Sequence, residues 1–416
     1  MDFTYSPKVE ALCQQLKCFM DDHIVPRIGQ WHKEVNAGVY PVSFMEDLKV
    51  RAKTEGLWNL FLPHLNAGEP GTGLSNLEYA PLAEIMGSIS WASEVFNCNA
   101  PDTGNMELLH ICATAAQRKQ WLDPLLNGSI RSAFAMTEPD VASSDATNIQ
   151  TSITRDGDDY VINGRKWFIT NAAHPNCKIL ILMGKTDPTA ETHRQQSMIL
   201  VPIDTAGVEV VRNINIMNHH SPEGHCEIVF GNVRVPASNL LGEEGSGFAL
   251  AQARLGPGRI HHCMRSIGAA ELALAMMTER AQQRKAFGKY LYEQGAVADG
   301  IARSRIEIEQ ARLLVLKTAW MIDSVGAKAA CKEIAMIKAL VPMLHTTVTD
   351  RAMQVFGAMG ISPDTPLADH WTWGRALRFA DGPDEVHLRS IARMEIKQAQ
   401  AQFGPMAAYL TPPKRT

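Results

Sequence analysis

The sequence predicts a mainly helical protein with a central β domain and a C-terminal helical bundle. Apolar residues recur at helical spacing toward both ends of the 416-residue chain. Short apolar runs separated by Gly, Asn and Asp occupy the middle, which is the pattern of a small barrel or sandwich. We therefore predict an N-terminal helical domain over residues 1–130, a middle β domain, a barrel or a sandwich, over 131–238 and a C-terminal helical bundle over 239–416.

The N-terminal segment contains two clear helical patterns. Apolar side chains repeat every three or four residues between Val9 and Phe19, and again between Leu77 and Met86. Prolines punctuate the pattern at Pro26, Pro41, Pro63, Pro101 and Pro124. Several helices separated by turns are therefore expected here.

The middle segment is rich in apolar runs of strand length. These runs are residues 160–162, 178–183, 197–201, 228–230 and 233–235. Asn163-Gly164 directly follows the first run, and Asn-Gly is the strongest short hairpin signal. We therefore expect a tight hairpin turn at these two residues.

The C-terminal segment returns to helical patterns in longer pieces. A stretch rich in Ala, Leu and Met follows Gly245-Ser246-Gly247 and reaches Arg280, and further stretches span 301–322 and 329–356. Pro342 is expected to kink the last of these. Since no G-x-G-x-x-G fingerprint follows a strand, a dinucleotide would have to bind by a route other than the Rossmann one.

Composition argues against several classes of protein. The net charge of -4 gives no electrostatic attraction to nucleic acid. The eight cysteines are scattered without a CxxC pair, which favours free thiols in a reducing compartment. The pairs His219-His220 and His261-His262 match no metal-ligand pattern, so we interpret them as surface or packing residues and expect no metal site.

Neither end of the given sequence resembles a common targeting signal. The first arginine is Arg27, and four acidic residues precede it, which is unlike a signal peptide or a mitochondrial presequence. The C-terminal Lys-Arg-Thr is not the peroxisomal Ser-Lys-Leu, and no apolar run is long enough to span a bilayer. We expect a cytoplasmic location without a membrane span, with an organelle left open.

Two motifs of the middle segment carry candidate binding groups. Thr137–Asp145 offers hydroxyls and free backbone N–H groups, which suit phosphates and the polar edge of a heterocycle, although an ordinary turn would look the same. Trp167-Phe168-Ile169-Thr170-Asn171 offers aromatic surface beside a hydroxyl, and its alternative is a buried strand.

Three motifs of the C-terminal segment carry further candidates. The Arg284–Lys289 run pairs a guanidinium, which can clamp a pyrophosphate, with a glycine that permits close approach. The Gln354–Gly360 run has the glycines of a helix C-cap. Asp381, in Asp-Gly-Pro-Asp, is either a surface carboxylate in a turn or a catalytic group.

These five motifs together resemble the acyl-CoA dehydrogenase family, in order and over essentially the whole chain. The resemblance implies an FAD enzyme with an N-terminal helical domain, a small β-barrel and a C-terminal four-helix bundle. Such an enzyme removes a proton and a hydride from the carbons next to a thioester. Asp381 stands where the family has its base, and it is one methylene shorter than the usual Glu. The resemblance implies that Asp381 takes the proton and that flavin N5 takes the hydride.

The resemblance also assigns binding roles residue by residue. Residues implied to contact the cofactor are Phe134, Met136, Thr137, Ser144, Phe168, Ile169, Thr170, Arg284, Phe287, Gln294, Gln354, Phe356, Gly357, Ala358 and Glu385. Residues implied to contact the substrate are Ser144, Arg259 and Gly382. The chain departs from the family in an extra residue before Ser144, in Gln294-Gly295 where relatives have His-Gln, and in Gly256 where many relatives have Asp.

Partners and rivals follow from the same likeness. It implies an acyl-CoA substrate and an electron acceptor such as electron-transfer flavoprotein. It also implies a homodimer or homotetramer, because the Gln354 run reaches a neighbouring subunit's FAD in relatives. The Asp-Gly-Pro-Asp-Glu-Val-His run resembles a subgroup fused behind a kinase-like domain in some eukaryotes, which implies medium or long acyl chains, some 4-hydroxylated or phosphorylated. A nitroalkane oxidase-like enzyme with an Asp base is the alternative. A non-catalytic DNA-binding flavoprotein is a further one, against which the net charge argues.

Overall fold

Helices dominate the computed structural model, which describes residues 4–63, 65–217 and 221–401. The α-helices of these residues are α1 (Pro7–Phe19), α2 (Ile28–Asn36), α3 (Met45–Thr54), α4 (Asn76–Gly87), α5 (Ala92–Val95), α6 (Asp102–Cys112), α7 (Ala115–Gln117), α8 (Asp123–Leu126), α9 (Gly247–Gln283), α10 (Gly295–Val325), α11 (Cys331–Phe356), α12 (Leu367–Leu377) and α13 (Asp384–Ala401). The mainly helical class with a central sheet is therefore confirmed.

The β-strands lie almost entirely between α8 and α9. They are β1 (Arg131–Ala135), β2 (Ser152–Asp156), β3 (Asp159–Thr170), β4 (Cys177–Lys185), β5 (Gln196–Pro202), β6 (Val208–Asn213), β7 (His225–Pro236) and β8 (Leu240–Leu241), with the short pair β9 (Lys285–Ala286) and β10 (Lys289–Tyr290) further on. The first eight form one mixed sheet in the order β6-β7-β3-β2-β4-β5-β8, and β1 pairs in parallel with β4.

Side-chain alternation along β4 joins the sheet to the helices. Ile179, Ile181 and Met183 lie in the hydrophobic core shared with the helices. Leu180 and Leu182 lie in a second core formed by the sheet itself. Since successive side chains of a strand point to opposite faces, one apolar run supplies both cores.

The expected hairpin at Asn163-Gly164 is wrong. β3 continues through both residues, and its pairing with β7 shifts register between Ile162 and Gly164. The turn between β2 and β3 falls instead at the Asp156–Asp159 pair. Glycine is needed at 164 because a Cβ there would collide with the side chain of Thr151. The Asn-Gly pair therefore accommodates an irregularity within a strand.

The long helices of the C-terminal part pack on the N-terminal helices at glycines. A Cβ on Gly87 of α4 would collide with the backbone of Arg265, and one on Gly268 of α9 would collide with the backbone of Glu84. The backbones of α4 and α9 therefore approach closely, which fixes α9 against the N-terminal helices.

Two expectations from the sequence concern the cysteine thiols and membrane-spanning helices. All eight cysteines are free, as the sequence predicts. None of the helices in the described ranges combines the length and the apolar character that crossing a bilayer requires.

Candidate active site

The loop between α12 and α13 carries Asp381 in a backbone conformation that few side chains adopt. Asp381 has φ 55° and Gly382 has φ 106°. Asp tolerates the left-handed region better than most residues, and Gly has no Cβ to clash. The pair turns the chain so that the Asp381 carboxylate meets α9 at Gly258.

Cationic side chains from two helices hold the backbone of this loop. Arg259 of α9 donates its Nε–H to the carbonyl oxygen of Asp381 at 2.9 Å. Lys338 of α11 is fully buried and donates its Nζ to the carbonyl oxygen of Leu377 and, at 3.5 Å, to that of Gly382. The position of Asp381 is therefore set by α9 and α11 as well as by the loop itself.

The carboxylate of Asp381 is shielded from water, with 13% of the side chain exposed. Its Oδ1 lies 3.6 Å from Nη1 of Arg254, and its Oδ2 lies 3.7 Å from Nε2 of His262. A Cβ on Gly258 would lie 3.1 Å from Oδ2, so glycine leaves room for the carboxylate. No group among the described residues donates a hydrogen bond to Oδ2. One buried oxygen is therefore available to accept a proton.

Electrostatics keep this carboxylate ionised. Burial alone would raise the pKa of Asp381, but that pKa is lowered because positive charge around the carboxylate outweighs burial, from His262 when it is protonated and from Arg254, Arg259 and Lys338. Burial lowers the pKa of His262 itself to about 3, so its ring is neutral near pH 7. At neutral pH the stabilising field therefore comes from the two arginines and the lysine.

The backbone N–H of Asp381 is a second available group. It donates no hydrogen bond within the described parts of the chain, whereas the flanking N–H groups of Ala380 and Gly382 bond to the carbonyls of Ala376 and Phe379. An unpaired N–H suits an oxygen that gains negative charge, and an unpaired carboxylate oxygen suits a proton. The two lie on the same residue.

Two motifs of the middle segment meet at the end of β1. Thr137 donates its Oγ1–H to the carbonyl oxygen of Trp167 at 2.6 Å, and the Trp167 N–H donates to the carbonyl oxygen of Thr137 at 3.0 Å. Phe168 follows with φ 51° and a side chain that is 44% exposed. The structure thus brings Thr137 beside an aromatic face that is open to a ligand.

Glu138 anchors the loop that follows Thr137. Its carboxylate accepts hydrogen bonds from the N–H groups of residues 150 and 151 at 2.7 and 2.9 Å and from Nζ of Lys166 at 2.8 Å. Ser143 accepts a hydrogen bond from the Glu138 N–H at 2.8 Å. Ser144, the serine to which the resemblance gives the binding role, is exposed.

Thr170 connects the sheet with the helix before the base loop. Its Oγ1 lies 2.9 Å from Nδ1 of His225, whose Nε2 lies 3.0 Å from Oγ of Ser221. The His225 ring packs edge-on against Trp373 of α12, with 5.7 Å between centroids. Ile169 is 1% exposed in the sheet core, so its side chain offers no surface to a cofactor in the protomer.

Phe134 and Met136 lie at the end of β1 that faces the base. The Arg254 guanidinium sits 4.3 Å from the centre of the Phe134 ring, so Phe134 touches the base through Arg254. The carbonyl oxygen of Met136 accepts a hydrogen bond from Lys166 at 2.8 Å. Both predicted residues are therefore near the second motif or the base.

Another set of predicted residues gathers at the far end of α9. Arg284 follows α9 and enters the β9–β10 hairpin, in which Phe287 and Gly288 have positive φ. The Phe287 side chain is completely exposed. Gln294 donates its Nε2–H to the carbonyl oxygen of Ala286 at 3.4 Å. This hairpin presents an aromatic ring and a guanidinium to the outside.

The end of α11 reaches the same region. The ring of Phe356 lies 5.5 Å from the guanidinium of Arg280, close to the end of α9. Gly357 ends α11 with φ 67°, and Gln354, Gly357 and Ala358 are exposed. The helix C-cap and the binding interpretation of this motif are therefore compatible.

The structure does not bring the two sets of residues together in one protomer. Arg259 and Arg284 are separated by 25 positions along α9, which at 1.5 Å per residue is roughly 37 Å. Glu385 and Gly382 stay with the base, since they flank the start of α13. The ring of a single bound cofactor therefore cannot contact both ends of the same α9.

Sequence reasoning missed the groups that face Asp381 from other elements. Arg254 and Lys338 gave only a weak signal in the sequence, since each is a charged residue within a largely apolar helical stretch. The interpretation of His261-His262 as surface or packing residues agrees with His261, which packs on Tyr79 at 5.1 Å. The sequence did not indicate that His262 faces the Asp381 carboxylate, at 3.7 Å. His219-His220 lies outside the described residues. No cluster of metal-binding side chains occurs in the described ranges.

Comparison with family models identifies the class of protein. The acyl-CoA dehydrogenase N-terminal domain matches residues 6–129, the middle domain 133–233 and the C-terminal domain 245–396. The chain belongs to the acyl-CoA dehydrogenase family, and it is an FAD-dependent oxidoreductase of fatty acid metabolism.

Individual relatives agree with that family. A Mycobacterium tuberculosis protein named Probable acyl-CoA dehydrogenase FadE2 is 57% identical over 97% of this chain and 99% of its own length. Mouse acyl-CoA dehydrogenase family member 10 is 54% identical over 96% of this chain, and human member 11 is 50% identical over 95%. The chain spans 38% and 51% of the lengths of these two animal proteins.

Solved structures share the fold. A Mycobacterium abscessus structure with an acyl-CoA dehydrogenase name superposes with a TM-score of 0.91 at 46% identity, covering 95% of this chain and 100% of that one. Butyryl-CoA dehydrogenase from Megasphaera elsdenii superposes with a TM-score of 0.82 at 27% identity, again covering 95% and 100%.

The chain's own residues fit FAD. Phe168 offers an exposed aromatic face for a flat ring. Thr137 bonds to the neighbouring Trp167, and Thr170 follows Phe168 by two positions in β3. Arg284 is exposed and offers a guanidinium for a pyrophosphate. The exposed ring of Phe287 offers a further apolar contact. These are the kinds of group that a flavin dinucleotide requires.

Proposed function

We propose that the protein catalyses α,β-dehydrogenation of an acyl-CoA thioester with Asp381 as the base. The observation that carries this proposal is the unpaired Oδ2 of Asp381, buried beside the unpaired N–H of the same residue. Since the α proton of a thioester is weakly acidic, its removal needs a placed base and a stabilised enolate. A positioned base of this kind contributes ~10²–10⁴-fold.

The chain's residues divide the work of proton removal. The Asp381 carboxylate takes the α proton, and the electron pair of the broken C–H bond moves into the thioester carbonyl. The Asp381 N–H donates to the oxygen that becomes negative, and Arg259 and Lys338 hold the loop in place. Bound FAD supplies the acceptor, at N5, for the hydride that leaves the β carbon. The lowered pKa of Asp381 means that the base is already ionised before substrate arrives.

Exclusion of water is part of the same step. The Asp381 side chain is 13% exposed in the protein alone, and an acyl chain that covers it removes that residual exposure. Covering the carboxylate disfavours its charged form, so its affinity for the α proton rises as substrate binds. The cations lower the pKa of Asp381 in the free protein, and burial by the bound substrate therefore raises that pKa again.

The separation along α9 leads us to propose that each site needs two protomers. Arg284 follows Arg259 by 25 positions along α9, which is roughly 37 Å as helical rise. Phe287 lies with Arg284 at the β9–β10 hairpin, and Gln354 lies near the end of α11. In a homodimer or homotetramer they would contact the same FAD that Phe168 of the partner subunit would contact. The exposed Phe287 ring fits such an interface.

The substrate class rests on the base motif. The Asp-Gly-Pro-Asp-Glu-Val-His run resembles the subgroup in which medium or long acyl chains occur, including 4-hydroxylated or phosphorylated ones, and we propose such a substrate. Electron-transfer flavoprotein is the proposed electron acceptor. Family members 10 and 11, at 54% and 50% identity, carry acyl-CoA dehydrogenase names and agree with the thioester class.

A nitroalkane oxidase-like activity is the second candidate, because Asp381 is an Asp base. It predicts flavin bleaching by nitroalkanes and none by acyl-CoA esters. An anaerobic panel containing both classes separates the two functions in one experiment.

Replacing Asp381 with Asn tests the role of the base. Asn has nearly the same shape and tolerates positive φ, but its amide cannot take the proton. We expect FAD content and acyl-CoA binding to persist, while the rate of flavin reduction by acyl-CoA falls by on the order of 10² or more. Stopped-flow absorbance under anaerobic conditions measures that rate. Bleaching at the wild-type rate in Asp381→Asn would place the base elsewhere.

A further inference from the structure

Arg254 is held on every side by groups outside its own helix. It is 6% exposed, and its guanidinium stacks on Phe134 at 4.3 Å. Its Nε–H donates to Oδ1 of Asn105 at 3.2 Å, and its Nη2–H donates to the carbonyl oxygen of Pro101 at 3.3 Å. The remaining nitrogen, Nη1, faces Asp381 at 3.6 Å. A planar guanidinium fixed in this way has one direction left for its free donors.

The partner of Arg254 is itself fixed. Asn105 donates its Nδ2–H to Oγ of Ser132 at 2.9 Å, and Ser132 donates its N–H and Oγ–H to Oδ1 of Asp102 at 2.7 and 2.6 Å. Asp102 also pairs with Arg131. All four of these residues are buried. The network joins α6 to β1 and supports Arg254 from behind.

The backbone near Arg254 leaves space for it. A Cβ on Gly104 of α6 would lie 3.1 Å from Nε of Arg254. This distance is tighter than ordinary van der Waals contact, so a larger residue at 104 would push the guanidinium. Glycine at position 104 therefore leaves the space that the Arg254 guanidinium occupies.

The ionisable groups around Asp381 come from each element packed against its loop. They are Arg254, Arg259, His262 and Cys263 of α9, Lys338 of α11, His387 and Asp384 of α13, and Glu107 of α6, which lies near Arg254. Burial raises the pKa of Glu107 to about 8 and that of Cys263 to about 12, and it lowers the pKa of His387 to about 4. These three groups are therefore mostly neutral near pH 7.

The remaining cations use their donors differently. Arg259 donates to a carbonyl oxygen of the base loop, and Lys338 does the same. Asp384 is occupied by Arg378 at 2.6 Å. Arg254 differs from them, because its Nη1 faces the Asp381 carboxylate, 3.6 Å from Oδ1.

We propose that Arg254 is a positioning residue, which holds the Asp381 carboxylate ionised and in a fixed direction by joining it to the buried network of α6 and β1. The proposal rests on the proposed role of Asp381 as the base. Arg254 itself takes no proton in the reaction.

Two substitutions test charge and geometry separately. Arg254→Gln removes the charge, and Arg254→Lys keeps it but lacks the planar fork. We expect Arg254→Gln to slow anaerobic flavin reduction at pH 7 by on the order of tenfold or more and to move the acid limb of the pH–rate profile up by about one pH unit or more. Arg254→Lys should restore the pH profile and part of the rate. FAD content and the dissociation constant of acyl-CoA should change little in both.

A third variant covers the case in which Arg254→Gln does not fold. Gly104→Ala leaves the charge in place and displaces the guanidinium, so it should lower the rate with the pH profile nearly unchanged. An unchanged rate in Gly104→Ala would count against the positional part of the proposal.

The outcomes separate this proposal from that of the base. If Asp381→Asn is inactive while Arg254→Gln keeps the wild-type rate and pH profile, the Arg254 proposal alone is overturned. If Arg254→Gln only weakens acyl-CoA binding, Arg254 is a binding residue and the proposal is also overturned. If Asp381→Asn is fully active, the proposed base itself is wrong.

Discussion

The shortest carboxylate side chain occupies the base position, and the structure gives a local reason why it fits. Asp381 has φ 55°, a region that Asp adopts far more readily than Glu. Its Oδ2 already lies 3.1 Å from the place where a Cβ on Gly258 would stand. The loop, the helix opposite and the length of the side chain are therefore matched to one another.

Asp381→Glu should consequently slow the reaction although Glu is the usual family residue. The extra methylene needs space toward Gly258, and the backbone must keep a conformation that Glu disfavours. We expect a reduction in flavin bleaching rate of about tenfold or more, because a small misplacement of a base is costly. The anaerobic rate with saturating acyl-CoA measures it, with Asp381→Asn as the inactive reference. A Glu variant as fast as wild type would show that the loop can relax around the longer side chain.

At the scale of elements, α9 connects two functions that lie far apart. Its N-terminal half carries Arg254, Gly258 and Arg259 at the base, and its C-terminal end leads to Arg284 and the β9–β10 hairpin. A helix of 37 residues is rigid enough to fix both ends relative to each other. Its length therefore sets the spacing between a protomer's base and the groups that we assign to the partner's FAD.

Arg284→Ala should weaken FAD binding and leave the fold intact. The side chain is exposed, and its residue contributes to the hairpin through backbone hydrogen bonds that alanine preserves. Loss of a charge-assisted contact with phosphate costs ~1.5–3 kcal/mol, or about 10- to 100-fold in the FAD dissociation constant. Flavin fluorescence on dilution measures the constant, and light scattering checks the oligomer.

Lys289→Ala is the matched control for Arg284, since it removes an exposed cation from the same hairpin. It should retain FAD like wild type. Equal losses in both variants would point to general surface charge, and no loss in Arg284→Ala would contradict its assigned role.

At the scale of the whole molecule, buried neutral histidines tie stability to pH. Burial lowers the pKa of His174, His262 and His345 to about 3 and that of His225, His370 and His387 to about 4, and it lowers the pKa of His261 further. The unfolded chain takes up these protons near pH 6.5, whereas the folded protein resists them. Stability is therefore present above pH 6.5 and is lost as pH falls toward the folded pKa values.

Two carboxyls act in the opposite direction. Burial raises the pKa of Glu107 to about 8 and that of Glu223 to about 7, so their contribution is present at low pH and is lost as pH rises from about 4.5. Seven histidines outnumber these two groups. The balance below pH 6.5 therefore favours proton uptake by the unfolded chain.

We accordingly expect the thermal unfolding midpoint of the FAD-saturated protein to fall between pH 7 and pH 5. His345→Leu is the diagnostic variant, because both ring nitrogens of His345 are buried without a partner in the described residues. It should flatten the dependence by about one proton without loss of stability at pH 7. Differential scanning calorimetry across this range checks both statements, and a midpoint that does not fall toward pH 5 would contradict the first.

The sequence by itself determined the order of helical, β and helical segments, because apolar periodicity is a local property of the chain. It also identified the five motifs and their family, since the chemistry of short runs such as Arg284–Lys289 is readable without distances. The domain boundaries at 130/131 and 238/239, the roles of individual site residues and the cytoplasmic location stay predictions.

Only the tertiary structure decided which groups meet. Arg254, His262 and Lys338 converge on Asp381 from positions up to 127 residues away in the chain, and no local pattern announces such a meeting. The same holds for Asn163-Gly164. These residues are typical of a hairpin turn, but here they lie within β3 at a register shift, and Gly164 packs closely against Thr151. Buried charges and close backbone contacts depend on what packs opposite them, and the sequence records that partner elsewhere.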